Sequence, residues 1–239
     1  MTVDFKTAFL DSTLQSFGRR PLRLLDLGSG ASRHIPRLLQ RHPNISYTGV
    51  EPNDAARAAA KQLLKGLPGV TLESGWGESL TARYGNTFDV TVSLSVLEHV
   101  KRLDEFLATS VAVTVPGGLV AHRYDLGHAL YPSSIGERIT VLCARVIPWA
   151  VPASRYTGYP DVNRVMKTLS ACGLAELSVE YGQVHGLKLA MNHVADCDPA
   201  LAARILEFDA ALAERLCRRL SGEELVRLFP SITVRGLKK

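Results

Sequence analysis

From Pro21 to Leu126 the chain alternates short branched-apolar runs with segments of helical period, and this alternation constrains the fold most. The apolar runs are Leu22 to Leu27, Ser46 to Val50, Val70 to Glu73, Phe88 to Leu94 and Gly118 to Tyr124, each bounded by Gly, Pro, Asn or Asp. Helical patterns lie between them. In Arg102 to Val113, for example, Leu103, Phe106, Leu107 and Val111 fall on one stripe. Strands separated by helices give βαβ units and hence a parallel sheet. Further on, Ala175 to Tyr181 and Ser231 to Arg235 read as a sixth and a seventh strand. The expected fold is α/β: a Rossmann-like, doubly wound, seven-stranded, mostly parallel sheet with helices on both faces and a helical cap insertion.

A length of 239 residues suits one such domain. We divide it into a core over 20–126, a cap over 127–163 and a C-terminal part over 164–239 that completes the sheet. The cap is read from Gly127 to Val151, an apolar, proline-marked stretch with no clean strand. Asp161 to Ala171 reads as a sheet-covering helix. A longer helix follows, with Leu201, Ile205, Phe208, Leu212 and Leu216 as its buried stripe.

Composition narrows the class of function. With 46% hydrophobic and 21% charged residues the chain is an ordinary globular one, and its net charge of +5 is spread without runs of like charge. The four cysteines form no CxxC pair, which argues against structural zinc or thiol exchange and suits a reduced, cytoplasmic protein. The N-terminal MTVDFKTAFLDS carries acids where a secretory signal needs an apolar core. Ile139 to Pro152 is interrupted by Arg145 and two prolines, so a membrane span is not expected.

The residues of Leu24 to Ser32, LLDLGSGAS, carry the first chemical signal. Gly28 and Gly30 permit a tight turn after a buried strand. Arg33 stands where a nicotinamide fingerprint needs its third glycine, and Asp26 would repel a pyrophosphate while accepting from a cationic amine. Glu51, at the end of the second strand, is placed to take the hydroxyls of a ribose. An adenosine bearing an amino acid satisfies both acids, and S-adenosylmethionine is such a ligand.

In four segments, DLGSGAS, VEPND, FDVTVSLSVLEHV and the PGG of Pro116 to Gly118, the chain resembles the class I S-adenosylmethionine-dependent methyltransferases over about residues 20–126. The resemblance implies that Asp26, Gly28, Ser29, Gly30, Glu51, Pro52, Trp76, Gly77, Glu78, Ser93 and Leu94 bind that cofactor. The chain departs from the family pattern at Ser32, where a third glycine is common, and at Trp76, where an acid usually accepts from the adenine amine.

Candidates for acceptor chemistry lie at the carboxyl ends of the fourth and fifth strands. His128 with Asp125 behind it is the preferred base, and His99 is the second candidate, because histidine is the side-chain type that accepts protons near neutral pH. His122, Tyr156, Tyr159, Asn163 and Arg164 are candidates to bind substrate. His122 and Asp125 point to opposite faces of a strand, so no metal site is expected.

SLSV stands where nucleobase amino-methylating enzymes carry N/D-P-P-Y, and no cysteine stands there for carbon methylation. The expected reaction is therefore S-adenosylmethionine-dependent O-methylation of a small hydroxylated or anionic metabolite, such as a secondary metabolite or a sugar. An RNA methyltransferase and a non-catalytic S-adenosylmethionine-binding protein are the alternatives. No stable nucleic-acid partner and no membrane span are expected, and the sequence does not give the oligomeric state.

Overall fold

The computed structural model describes residues 5–75, 78–152, 156–194 and 197–239. Seven strands form one sheet: β1 (Leu22–Leu27), β2 (Ile45–Val50), β3 (Val70–Glu73), β4 (Phe88–Leu94), β5 (Thr114–Asp125), β6 (Leu174–Gly182) and β7 (Ser231–Lys238). Their order is β3-β2-β1-β4-β5-β7-β6. β1 to β5 run parallel, while β7 is antiparallel to both β5 and β6. Strand order reverses between β1 and β4, and ligands of such sheets bind in the crevice at the carboxyl ends beside that reversal.

The parallel strands are apolar on both faces because helices cover both. On one face Leu25, Leu27, Phe88, Val120 and Tyr124 join α4 (Glu78–Tyr84), α5 (Leu103–Val113) and α8 (Val162–Ala171) through Leu80, Phe106, Leu107, Val165 and Leu169. On the other, Leu24, Val90, Val92 and Ala121 meet α1 (Phe5–Gln15) and α2 (Ile35–Arg41) through Leu10, Leu14, Ile35 and Leu38. Adjacent Leu24 and Leu25 thus sit in opposite cores, as the period of a strand requires. Between β2 and β3 lies α3 (Asp54–Leu63), capped by Asn53, whose side chain accepts from the Ala56 N–H at 3.0 Å.

Beyond β5 come the short α6 (Gly127–Leu130) and α7 (Ile135–Val146), then, after α8 and β6, α9 (His185–Val194), α10 (Pro199–Leu216) and α11 (Gly222–Leu228). Two expectations are corrected here. β5 starts at Thr114, earlier than the PGG suggested, because the irregularity of Pro116 and Gly117 is absorbed as a register shift against β4. On α10 Ala202, Asp209 and Ala213 are buried and Ile205, Leu212 and Leu216 pack beside them, whereas Phe208 is 59% exposed and Leu201 is 37% exposed. Asp209 turns the helix, since its carboxylate accepts the Gln183 and Val184 N–H groups at 2.7 Å each where β6 ends.

Candidate active site

The crevice begins at the glycine turn that follows β1. Gly28 has φ +79°, and a Cβ there would come within 2.6 Å of a Val96 methyl, so the turn closes tightly on the segment after β4. The Gly28 and Ser29 N–H groups both donate to the Val50 carbonyl at 2.8 and 3.0 Å. Gly30, at φ +57°, donates its N–H to Glu51 Oε2 at 2.8 Å, and Asn53 donates to Oε1 at 2.8 Å. One N–H on each oxygen fixes the Glu51 carboxylate and leaves lone pairs on both for a diol. Pro52 follows, exposed at the turn into α3.

Asp26 lies at the end of β1, 1% exposed. Its Oδ2 accepts from the Tyr47 hydroxyl at 3.1 Å, and its Oδ1 is buried with no hydrogen-bond partner. Such an orphan is rare and calls for a donor that a ligand would bring. Burial, with the neighbouring carboxylate after it, pushes the Tyr47 phenol well up, so it stays a donor toward Asp26. An ammonium at Asp26 and a ribose at Glu51 are the two groups that these acids suit, so the chain fits S-adenosylmethionine. Trp76 and Gly77 lie outside the described residues, as does the Glu78 side chain at the start of α4.

Ser93 and His122 are corrected by burial. Both are inaccessible, with Ser93 Oγ 2.8 Å from His122 Nδ1 and Ser110 Oγ 3.0 Å from His122 Nε2. The Ser110 hydroxyl donates to the Leu107 carbonyl at 2.7 Å, so it accepts from Nε2–H and leaves Nδ1 to accept from Ser93. Burial drives the imidazole down to about 3, and it stays neutral. His122 is thus a core link between β4, β5 and α5 and not a surface for substrate. Leu94 is buried, and its carbonyl accepts from Lys6 Nζ on α1 at 3.4 Å.

Between the ends of β4 and β5 stands a 3-10 turn, Leu97–His99. Its Glu98 was passed over in the sequence, although it is part of the LEHV segment. Glu98 is 1% exposed, its Oε1 accepts the Asp125 N–H at 3.3 Å, and its Oε2 has no partner. Burial pushes this carboxyl up to about 7, against the pull of its own and the Asp125 backbone N–H. The Glu98 carbonyl accepts the Gly158 N–H at 2.7 Å. His99, exposed, faces the Tyr156 carbonyl with Nδ1 at 3.0 Å. A carbonyl can only accept, so Nδ1 carries the proton and Nε2 presents a lone pair. The two neighbours thereby hold the segment of Tyr156 to Tyr159 beside the crevice.

Asp125 feels His128 electrostatically, but other groups hold its two oxygens. Its Oδ1 accepts the Gly127 N–H at 2.7 Å, and its Oδ2 is bonded by the Lys188 ammonium from α9. Burial disfavours the charged carboxylate, but these donors outweigh it and hold the group below its ordinary range. His128 is exposed on α6, with no hydrogen bond joining it to Asp125. Lys188 was not foreseen; a lysine on an amphipathic helix carries no signal of where its ammonium goes.

The acceptor-side candidates divide. Tyr159 lies at a cavity lined by Leu130, Arg145, Tyr159, Glu223 and Arg227, with the Arg145 guanidinium 5.4 Å from its ring centre. Tyr156 is held through its carbonyl, with Lys101 Nζ 5.9 Å from its ring centre. Asn163 is exposed on α8. Arg164 is spent on Asp104 of α5 at 2.7 Å and so ties helix to helix. Among the described residues no group of three or more potential metal ligands occurs, and no helix is long and apolar enough to cross a membrane.

This geometry agrees with what the chain is similar to. Residues 25–120 match the family described as methyltransferase domain. The ubiquinone biosynthesis O-methyltransferase of Rhizobium etli (strain CIAT 652) is 32% identical over 123 residues, covering 46% of this chain and 47% of that protein. The protein of the same name from Caulobacter sp. (strain K31) is 34% identical over 114 residues, 43% of this chain and 42% of that one. The chain thus spans about half the length of these relatives. Among solved structures, Haemonchus contortus phosphoethanolamine N-methyltransferase 2 in complex with S-adenosyl-L-methionine has a TM-score of 0.62 at 14% identity, over 97% of this chain and 52% of that one. The [4+2]-cyclase SpnF has a TM-score of 0.58 at 16% identity, over 97% and 81%.

The fold, with its crevice at the β1/β4 reversal, is that of the α/β methyltransferase structures it matches. Over residues 25–120 the chain carries a methyltransferase domain, and Asp26 and Glu51 beside its glycine turn fit S-adenosylmethionine as the cofactor.

Proposed function

We propose that the chain transfers a methyl group to an oxygen of a small hydroxylated or anionic metabolite, with His99 as the base. The observation that carries this reading is the His99 hydrogen bond to the Tyr156 carbonyl, which leaves Nε2 as a proton acceptor at the mouth of the crevice. His128 lies near enough to Asp125 to lower its carboxyl electrostatically but is not hydrogen-bonded to it. The names of the curated relatives favour oxygen over nitrogen.

Bound S-adenosylmethionine supplies a methyl carbon activated by its sulfonium, so the protein's work is alignment, exclusion of water and proton acceptance. Glu51, Asp26 and the glycine turn orient the donor side. On the acceptor side, residues 127–163 act as a cap. Tyr159 and Arg145 suit a ring or an anionic group, and His99 Nε2 would accept the proton of the acceptor hydroxyl. The cap's anchors are the His99–Tyr156 and Gly158–Glu98 bonds. Four free cysteines suit the reduced cytoplasmic setting that we assign.

A product-mass screen over phenolic and sugar hydroxyl acceptors identifies the substrate class, after which paired variants test the base. His99→Ala lowers turnover by about 10²–10⁴-fold with cofactor affinity nearly constant, while His128→Ala changes it little. A collapse confined to His128→Ala refutes the assignment of the base. Methylated nitrogen in the product refutes the oxygen.

A further inference from the structure

The loop after the glycine turn holds a residue that the family pattern does not account for. His34 precedes α2, and its side chain is only 10% exposed, beside Asp26 at 2%. Its Nε2 lies 3.7 Å from Asp26 Oδ2, too far for a hydrogen bond, and has no other partner. Tyr47 already occupies Asp26 Oδ2, so the carboxylate's unsatisfied atom is Oδ1. A carboxylate neighbour favours the tautomer that carries the proton on Nε2.

One buried donor and one buried acceptor therefore stand side by side without partners at the head of the crevice. Leaving either unmet in the working protein is costly, and a ligand that accepts at one atom and donates at the next removes both costs together. An α-amino acid head has this pattern. A plain structural pair does not, because direct pairing would bring Nε2 onto the carboxylate and satisfy both at once. The loop is also braced independently of His34, through Ser32 N–H to the Ser29 carbonyl at 3.1 Å and Ile35 N–H to the Ser32 carbonyl at 3.1 Å.

We infer that His34 and Asp26 form a two-point clamp on the zwitterionic end of the cofactor, with Asp26 Oδ1 taking the α-ammonium and His34 Nε2–H donating to the α-carboxylate. The inference rests on the cofactor assignment. It makes His34 a determinant of selectivity for the intact amino acid over analogues that lack its carboxylate.

Calorimetry on the full chain tests it with S-adenosylmethionine, S-adenosylhomocysteine, decarboxylated S-adenosylmethionine and 5′-methylthioadenosine. His34→Ala weakens the first two by about 10–100-fold, the range for a hydrogen bond to a charged group, and leaves the last two within about twofold. His34→Gln, which keeps an N–H donor, recovers part of the loss, and thermal melts check that both variants fold. Equal weakening of the decarboxylated compound overturns the clamp in favour of a structural histidine, and unchanged affinity for S-adenosylmethionine overturns it outright. A wild-type chain that binds none of the four ligands removes the cofactor assignment and the clamp with it.

Discussion

The two halves of the molecule hold their functional residues in different ways. Over residues 20–126, Asp26 and Glu51 stand at the ends of parallel strands and are gripped by a phenol or by backbone N–H groups, with apolar side chains buried on both faces. Beyond residue 127, Ile135, Ile139, Leu142, Val146 and Trp149 point outward from α7 and the turn after it, each more than half exposed. The acceptor wall hangs on a few bonds from the LEHV segment and from Lys101, which bonds the Val151 carbonyl. The comparison teaches that the proposed donor site is built into the sheet, whereas the proposed acceptor side is attached to it. A change in one half is therefore felt as lost stability, and in the other as lost positioning.

The largest expected effect sets these halves against each other. Leu25→Ala, in the fully buried core of β1, costs about 2–5 kcal/mol of folding free energy, while Ile139→Ser on α7 stays within about 0.5 kcal/mol. Denaturant melts of the two variants decide it, and equal losses would erase the contrast.

At the seam between the halves, Glu98 gives a pH signature. Its carboxyl is raised from 4.5 to about 7 in the folded chain, so the native state holds more protons than the unfolded one between those values. Stability therefore falls as pH rises from about 4.5 to 7, by roughly 3 kcal/mol at most, and levels off above. In Glu98→Gln this slope disappears from melts taken across the window. Identical pH profiles for variant and wild type would place the titration elsewhere.

A smaller effect belongs to the donor side alone. Glu51→Ala loses about 1.5–3 kcal/mol of cofactor binding, read by calorimetry, because hydrogen bonds to a charged group are removed while the core is untouched. Unchanged affinity would move the ribose away from Glu51.

The proposed donor site is the part most readable from sequence, because its requirements fall on the backbone: a turn with positive φ needs Gly28 and Gly30, and strand ends carry Asp26 and Glu51. The acceptor side was less so, because tertiary partners decide it. His122 and His99 are the same residue type a strand apart, yet one is sealed between two serines and the other faces a carbonyl from residue 156. Of the α10 stripe, Ile205, Leu212 and Leu216 pack inward, but Leu201 and Phe208 face out and Asp209, a residue that pattern reading assigns to water, is drawn inward by two N–H groups of β6's end. In the cap the helical expectation holds, but its apolar residues face out from α7, where only Val141 and Ala144 are buried.

The position of β7 between β5 and β6 also governs how the chain assembles as it is made. β6 ends at Gly182, and the strand that joins it to the sheet begins at Ser231, about 50 residues later, so at roughly 5–20 residues per second β6 waits several seconds without a partner. A waiting edge invites pairing with another chain. β6 is poorly suited to that: Glu176 and Glu180 are exposed along it, and its ladder is broken between Ala175 and Ser178. The same charges guard it afterwards, since β6 remains the outermost strand of the finished sheet.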